Sequence, residues 1–370
     1  MTDRPTVALV FGGGSSEHRI SCLTAASVAR AIDPERFRVV GVGITPSGRW
    51  VSVPAEDVMA LEVRDGVLPS LSEDRPEAIW RRVDNGTEVA IVDDDQLVEA
   101  VRIDVALALL HGPFGEDGTI QGMFEMLDVR YVGSGVAASA IGMDKHFMKL
   151  VFSAQGLPVG PYVAIPPREW AADRAACLDA VASLNFPVYV KPARGGSSMG
   201  ITRVTSMDEV GVAIEKARDY DPKVIVEEGF TEIREIECGV LGSLGGGLAE
   251  ASVPAEIRMH TEDAFYDFEA KYLPDEQVSL DVPADLQPEI ADEVRQLAVQ
   301  AFHAVDGEGL ARVDFFVTRT GRVLINEINT MPGFTALSMF PRMWHHSGLE
   351  YPQLIERLIE LALDRPVGLR

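Results

Sequence analysis

Between Leu310 and Asn329 the chain places acids inside two strongly apolar runs, and few folds accept that arrangement. Leu310-Ala311-Arg312-Val313-Asp314-Phe315-Phe316-Val317 is followed by a turn at Thr320-Gly321, then by Val323-Leu324-Ile325-Asn326-Glu327-Ile328-Asn329. Such runs flanking a Gly-containing turn predict a β-hairpin. Side chains alternate across a strand, so Arg312 and Asp314 share one face while Glu327 and Asn329 share a face of the next strand. A two-residue turn puts Asp314 opposite Glu327. Opposed carboxylates in apolar strands are destabilising unless a cation separates them, and oxygen ligands from Asp, Glu and Asn suit magnesium. Solvated charges on an open sheet face are the plainer alternative, but Val313, Phe315 and Val317 already provide the face that packs on a core. Magnesium normally keeps water and phosphate in its shell, so a nucleoside triphosphate is expected nearby.

Phosphate then needs cations from elsewhere. Lys145 stands just inside a helix start at Asp144, and Lys191 ends the apolar strand Val188-Tyr189-Val190. After Lys191 comes Pro192-Ala193-Arg194-Gly195-Gly196-Ser197-Ser198-Met199-Gly200, whose small residues let backbone amides approach phosphate oxygens, although such a loop also serves as hairpin punctuation. Rival patterns fail on context. No Gly-Lys dipeptide occurs, which removes a Walker A loop. Gly12-Gly13-Gly14-Ser15-Ser16-Glu17 opens like a dinucleotide fingerprint, yet Glu17 takes the third glycine's place and would repel pyrophosphate. Gly196-Ser197-Ser198-Met199-Gly200 matches Gly-x-Ser-x-Gly, but a strand follows it where a nucleophile elbow needs a helix.

At 370 residues and 46% hydrophobic content, the chain suggests two or three domains. The first third alternates strand 6 to 11, helix 21 to 31, strand 37 to 44, a polar irregular stretch to about 88, strand 105 to 110, helix 119 to 127 and strand 130 to 132, an α/β layout. A domain covering 1–133 is expected, then a central unit 134–230 with strands at 187 to 191, 201 to 204 and 224 to 227 and a helix at 207 to 218. The unit 231–370 holds strand 236 to 242, a long polar segment 258 to 276, the hairpin and a helix at 351 to 364. A further helix carries the stripe Ile290, Val294, Leu297, Ala301, Phe302 and Val305. A net charge of -24 without basic clusters opposes nucleic acid as a partner. Apolar runs such as Val105 to Leu110 are too short for a membrane span. The start Met1-Thr2-Asp3-Arg4-Pro5 lacks the pattern of a signal peptide, so a cytoplasmic protein is expected. Cys22, Cys177 and Cys238 have no metal or redox spacing.

Together these segments resemble the D-alanine:D-alanine ligases of the ATP-grasp superfamily, over nearly the whole chain except about 55 to 100. The resemblance is carried by Phe11 through His18, by His111-Gly112-Pro113-Phe114-Gly115-Glu116-Asp117-Gly118, and by Gly142-Met143-Asp144-Lys145. Lys191 through Gly200, Phe265 through Tyr272 and Asn326-Glu327-Ile328-Asn329-Thr330-Met331-Pro332-Gly333 complete it. It implies an ATP-grasp fold preceded by a Rossmann-like α/β domain. The implied reaction has ATP phosphorylating one D-alanine carboxylate, after which the amine of a second D-alanine attacks the acyl phosphate.

By the same resemblance Asp314, Glu327 and Asn329 hold two magnesium (or manganese) ions, and Lys145, Lys191 and Lys271 bind phosphates. Glu227 receives the adenine amino group, Phe230 flanks the base, and Glu235 takes the ribose hydroxyls. Glu228 stands where relatives often have lysine. Glu17, linked to Ser197 and Tyr272, holds the first ammonium; Arg312 and the Gly333 amide form the oxyanion site; Ser338 and Lys271 hold the second carboxylate. His111 lies near the second amino acid, unless it is a satisfied core histidine. The segment from Arg258 to Glu276 is expected to close as a lid. A homodimer is expected from the family. The nearest rivals make D-alanyl-D-lactate or D-alanyl-D-serine, against which Tyr272 in its Glu-Ala-Lys-Tyr context argues. A non-catalytic ATP-binding protein is the rival of another class, and the presence of every expected metal, phosphate and oxyanion residue argues against it.

Overall fold

The computed structural model describes residues 4–196, 199–230, 232–259 and 278–366. The first stretch holds β1 (Thr6–Gly12), α1 (His18–Ala31), β2 (Arg38–Ile44), β3 (Trp50–Val53), α2 (Ala55–Met59), β4 (Glu77–Val83), β5 (Gly86–Asp93), β6 (Gln96–Ile103), β7 (Val105–Ala108), α3 (Thr119–Leu127) and β8 (Arg130–Tyr131). Next come α4 (Val136–Met143), α5 (Lys145–Ala154), β9 (Tyr162–Ile165), α6 (Pro167–Ala172), α7 (Arg174–Val181), β10 (Val188–Pro192), β11 (Thr202–Val204), α8 (Met207–Arg218) and β12 (Val224–Glu228). The remainder holds β13 (Ile233–Leu241), β14 (Glu250–Ala251), β15 (Ala255–Met259), β16 (Val278–Asp281), α9 (Pro288–Ala304), β17 (Leu310–Thr318), β18 (Val323–Asn329), α10 (Met339–His346) and α11 (Tyr351–Asp364).

Among the described residues three sheets result, ordered β6-β5-β4-β3-β2-β1-β7-β8, β11-β10-β12-β9 and β16-β15-β13-β17-β18. In the first, β2-β1-β7-β8 run parallel, as the alternating pattern predicts. The central strand β1 is buried on both faces. Val7, Leu9 and Phe11 join a core with α1 and α11, while Ala8 and Val10 face the core that includes Ile120 and Phe124 of α3.

The stretch expected to be irregular up to about 88 is not. It contains β3, β4 and the start of β5, which with β6 extend the sheet as antiparallel strands. Most residues of β6 are exposed, so the strand lacks the buried periodicity that would reveal it. Asp94 and Asp95, part of an acidic run, have φ of 46° and 60° and form the tight turn between β5 and β6, since a primed turn matches the twist of the strands it joins.

Helix α9 buries Val294, Ala301 and Phe302 against β13, β17 and β18, as its stripe predicts. Helices α4 and α5 join the same core through Ala138, Met148 and Phe152. The first core reaches across the whole chain, because Leu354, Ile355, Leu358 and Ile359 of α11 pack among Val7, Leu9, Cys22 and Val28. Leu358→Ala should therefore lower stability by about 2–5 kcal/mol, the range for a buried leucine truncated in a tight core. Urea unfolding would show it, and an unchanged midpoint would contradict the packing.

Candidate active site

In the four-stranded sheet, alternation puts Val188, Val190, Val224 and Val226 in a core with α8. The opposite face then carries Tyr189 and Lys191 beside Ile225 and Glu227. Glu227 is only 7% exposed. Lys149 Nζ lies 3.0 Å from its Oε1 and Lys191 Nζ 2.5 Å from its Oε2. Burial pushes this carboxyl up, but the two lysines outweigh burial and hold it at about 2. Glu228, next along, is turned away and accepts hydrogen bonds from the Asn185 backbone and side-chain amides at 3.0 and 3.1 Å. The Phe230 ring lies 6.4 Å, centre to centre, from that of Phe316 of β17. Phe316 in turn pairs in register with Glu235, which is exposed on β13.

The hairpin meets its expected register by a route different from a two-residue turn. Thr318 donates to Arg322 O and Gly321 to Thr318 O, so the loop is one residue longer and Val317 pairs with Val323. A β-bulge between Asp314 and Phe315 restores the phase, so that Asp314 faces Glu327 and Arg312 faces Asn329. Without that extra residue on β18, Glu327 would fall on the core face.

On the polar face Arg312 donates to both carboxylate oxygens of Asp314 at 2.7 Å and lies 3.3 Å from Glu237. Asn329 Nδ2 donates to Asp314 at 3.0 Å. Lys145 Nζ is 2.8 Å from Glu327 and also donates to Gly195 O, tying the Gly/Ser loop to the hairpin. Lys145 and Lys191 hold Glu327 well below the usual carboxylate range despite its burial. Among the described residues no group of three or more His, Cys, Asp or Glu has metal-binding spacing. The donor set of Asp314, Glu327 and Asn329 nonetheless fits a hard cation. Two carboxylates face each other at a site that already attracts two cationic side chains, and a turned Asn329 amide would offer a third oxygen.

The Gly-rich turn after β1 closes the other end. Gly12 has φ of +94°, and a Cβ there would lie 2.2 Å from Ile44 O, so only glycine fits. Buried His18 props the turn from beneath, its Nδ1 2.8 Å from Gly13 O and its Nε2 accepting from Leu71 N at 3.2 Å. Glu17 starts α1, and its carboxylate lies against Gly112, where a Cβ would come within 3.2 Å of Oε2. Glu116 accepts a 2.5 Å hydrogen bond from the Gly112 amide. Burial, then the negative field of Glu17, push its carboxyl up to about 8, with Arg312 opposing. His111 is buried, and its carbonyl accepts from Ser15. Ser338 starts α10 and bonds Thr335 at 2.8 Å, while Phe334, beside Gly333, is fully buried. Ser197, Lys271, Tyr272 and nearly all of the expected lid lie outside the described residues.

Lys149, Glu116 and Glu237 join these groups although sequence reasoning gave them no role. Signals existed for each. Lys149 follows Lys145 by one helical turn, Glu237 follows Glu235 on one strand face, and Glu116 lies within a Gly-rich segment already singled out.

Two antiparallel sheets meeting at a lysine-lined cleft, with an acid-bearing hairpin beside it, define an ATP-grasp enzyme with an α/β domain in front. Family models described as the N-terminus and C-terminus of D-ala D-ala ligase match residues 6–134 and 151–360. The chain is 53% identical to the D-alanine--D-alanine ligase of Kocuria rhizophila, covering 100% of this chain and 96% of that protein. It is 50% identical to the enzyme of Mycobacterium avium, covering 100% and 99%. Its fold resembles the D-alanine-D-alanine ligase from Coxiella burnetii, with a TM-score of 0.83 and 31% identity over 98% of this chain and 95% of that one. The VanG D-Ala:D-Ser ligase from Enterococcus faecalis gives 0.82 and 30% over 97% and 100%. The chain belongs to the D-alanine–D-alanine ligase family.

Glu116 gives a test of the geometry at this end. A carboxyl whose folded value is raised contributes stability fully below its ordinary value of about 4.3, and that stability is lost as pH rises. Here the loss should extend through about 8. Glu116→Gln should therefore gain stability over the parent as pH increases across that window. Parallel urea midpoints from pH 5 to 8 would show that Glu116 does not sit in the buried acidic surroundings described.

Proposed function

We propose that this chain joins two D-alanine molecules into D-alanyl-D-alanine for peptidoglycan, using ATP and releasing ADP and phosphate. The observation that carries the reading is the polar face of the hairpin, where Asp314, Glu327 and Asn329 stand beside Arg312 and Lys145. An oxygen of the first D-alanine carboxylate attacks the terminal phosphorus and ADP departs. The amine of the second D-alanine then attacks the carbonyl carbon, the C–N bond forms, and phosphate leaves.

Lys145 and Lys191 are assigned to the phosphates together with Lys271. Glu227 takes the adenine amino group, Phe230 flanks the base and Glu235 takes the ribose hydroxyls. Asp314, Glu327 and Asn329 would hold magnesium or manganese, which when bound neutralises charge on the transferring phosphoryl group. Glu17, with Ser197 and Tyr272, holds the first ammonium. Arg312 and the Gly333 amide stabilise the oxyanion, where fixed donors have large effects. Ser338 and Lys271 hold the second carboxylate, with His111 close to that substrate.

We assign the activity to the cytoplasm and to a homodimer. Among the described residues no helix is long and apolar enough to cross a membrane. The structural likeness to a D-Ala:D-Ser ligase makes D-serine and D-lactate the competitors to offer. Incubation with magnesium-ATP, D-alanine and each competitor should give mainly D-alanyl-D-alanine, ADP and phosphate by mass spectrometry. AMP and pyrophosphate would sink the acyl-phosphate route. Asp314→Asn and Glu327→Gln should each lower turnover by roughly a hundredfold or more while remaining folded, the scale for losing an electrostatic element of a transition state. Near-normal turnover of either variant at low magnesium would remove the hairpin from the mechanism.

A further inference from the structure

Lys149 is 3% exposed and has no place in the roles assigned above. It lies one turn beyond Lys145 on α5, and its ammonium meets Glu227 Oε1 while Lys191 meets Oε2. One buried carboxylate thus carries two ammonium groups, although one suffices to neutralise it. Burying an ammonium is costly unless its charge is compensated, so the second cation asks for a reason. The reason lies in where each lysine is rooted. Lys191 ends β10 at the mouth of the Gly/Ser loop, the place assigned to nucleotide phosphates. When phosphates arrive, Lys191 has a stronger partner than Glu227. Lys149 does not, because it rises from the middle of a helix whose neighbouring Met148 and Phe152 are locked in a core. Its ammonium is also flanked by the Tyr162 ring, 5.9 Å from the ring centre.

We propose that Lys149 is a positioning residue for the nucleotide base: it keeps Glu227 charged and aimed at the adenine 6-amino group once Lys191 has swung to the phosphates, and so sets the preference for adenine over 6-oxopurine nucleotides. This rests on Glu227 being the adenine acceptor. A carboxylate in that place accepts the N–H of a 6-amino group and repels the oxygen of a 6-oxo group. If only Lys191 balanced Glu227, the acid would lose its compensation at the moment the base needs it.

The test uses the full-length protein with ADP and inosine diphosphate as calorimetric ligands. Lys149→Met should weaken ADP binding by about tenfold or more, and erase most of the ADP-over-IDP preference, whereas Lys149→Arg should restore much of both. KM for ATP should rise with it while kcat changes less than about threefold, the pattern of lost binding shared by ground and transition states. Equal weakening toward both nucleotides would mark Lys149 as structural scaffolding and overturn the proposal, as would unchanged ADP affinity. Glu227→Gln separates the underlying assignment: if it keeps the ADP preference, Glu227 is not the base acceptor; if it loses the preference while Lys149→Met keeps it, only the role of Lys149 falls. A crystal structure of the parent with ADP needs no variant to fold. It should show Lys149 still on Glu227 and Lys191 on phosphate, and Lys191 remaining on Glu227 would overturn the exchange.

Discussion

Helix α5 spans the cleft with two ammonium groups one turn apart. Lys145 reaches Glu327 on the hairpin at 2.8 Å, and Lys149 reaches Glu227 on the four-stranded sheet at 3.0 Å. The site depends on this bridge because its acids come from different sheets, which no shared ladder of hydrogen bonds holds in register. Buried ion pairs are weak sources of net stability, since desolvation offsets their attraction. Their effect here is to fix relative position. Stability comes instead from the apolar side of the same helix, where Met148 and Phe152 pack with Val294, Phe302 and Phe315. One short helix therefore divides its faces between holding the fold and aligning the chemistry.

The cleft is built from charges that serve as one another's partners until a ligand replaces some of them. Asp314 is held by Arg312 and Asn329, Glu327 by Lys145, and Glu227 by Lys149 and Lys191. Each acid is thus paired with an opposite charge in the protein alone, which lets so dense a cluster fold. If the proposed ligands bind here, phosphate would compete for the lysines and a divalent cation for the carboxylates they release. Binding by such an exchange would avoid exposing bare charges to a low-dielectric interior.

Much of this was legible in the sequence because it rests on local periodicity. The alternation in β17 and β18 put Asp314, Glu327 and Asn329 on one face, and the stripe of α9 marked the surface beneath. The turn is one residue longer than the sequence predicts, and the expected register is kept only through the bulge near Asn326, which no propensity in an apolar strand announces. β6 was hidden for a different reason. An edge strand whose residues are mostly exposed has no apolar alternation to display. Lys149 is not legible in the same way, because a lysine on an amphipathic helix is normally solvated and its burial depends on β9 and β12 closing over it.

The loops that carry Glu17, His111, Gly333 and Ser338 come from distant parts of the chain. Glu17 and His111 follow β1 and β7 of the first sheet, while Gly333 and Ser338 follow the hairpin some two hundred residues later. Loops so distant in sequence can keep a common geometry only if the elements behind them share a core. That core exists: Phe334, Phe340 and Leu358 pack with Phe11, Cys22 and Val28, and Tyr351 donates from its hydroxyl to Phe334 O at 2.7 Å. The backbone amide of Ala336 reaches Ser27 of α1 at 3.1 Å, fastening the loop before Ser338 directly to the helix that Glu17 precedes. The loops that carry Glu17 and Ser338 are therefore backed by one apolar cluster. If these loops hold the two amino acids as proposed, the distance between them follows from the packing of that core.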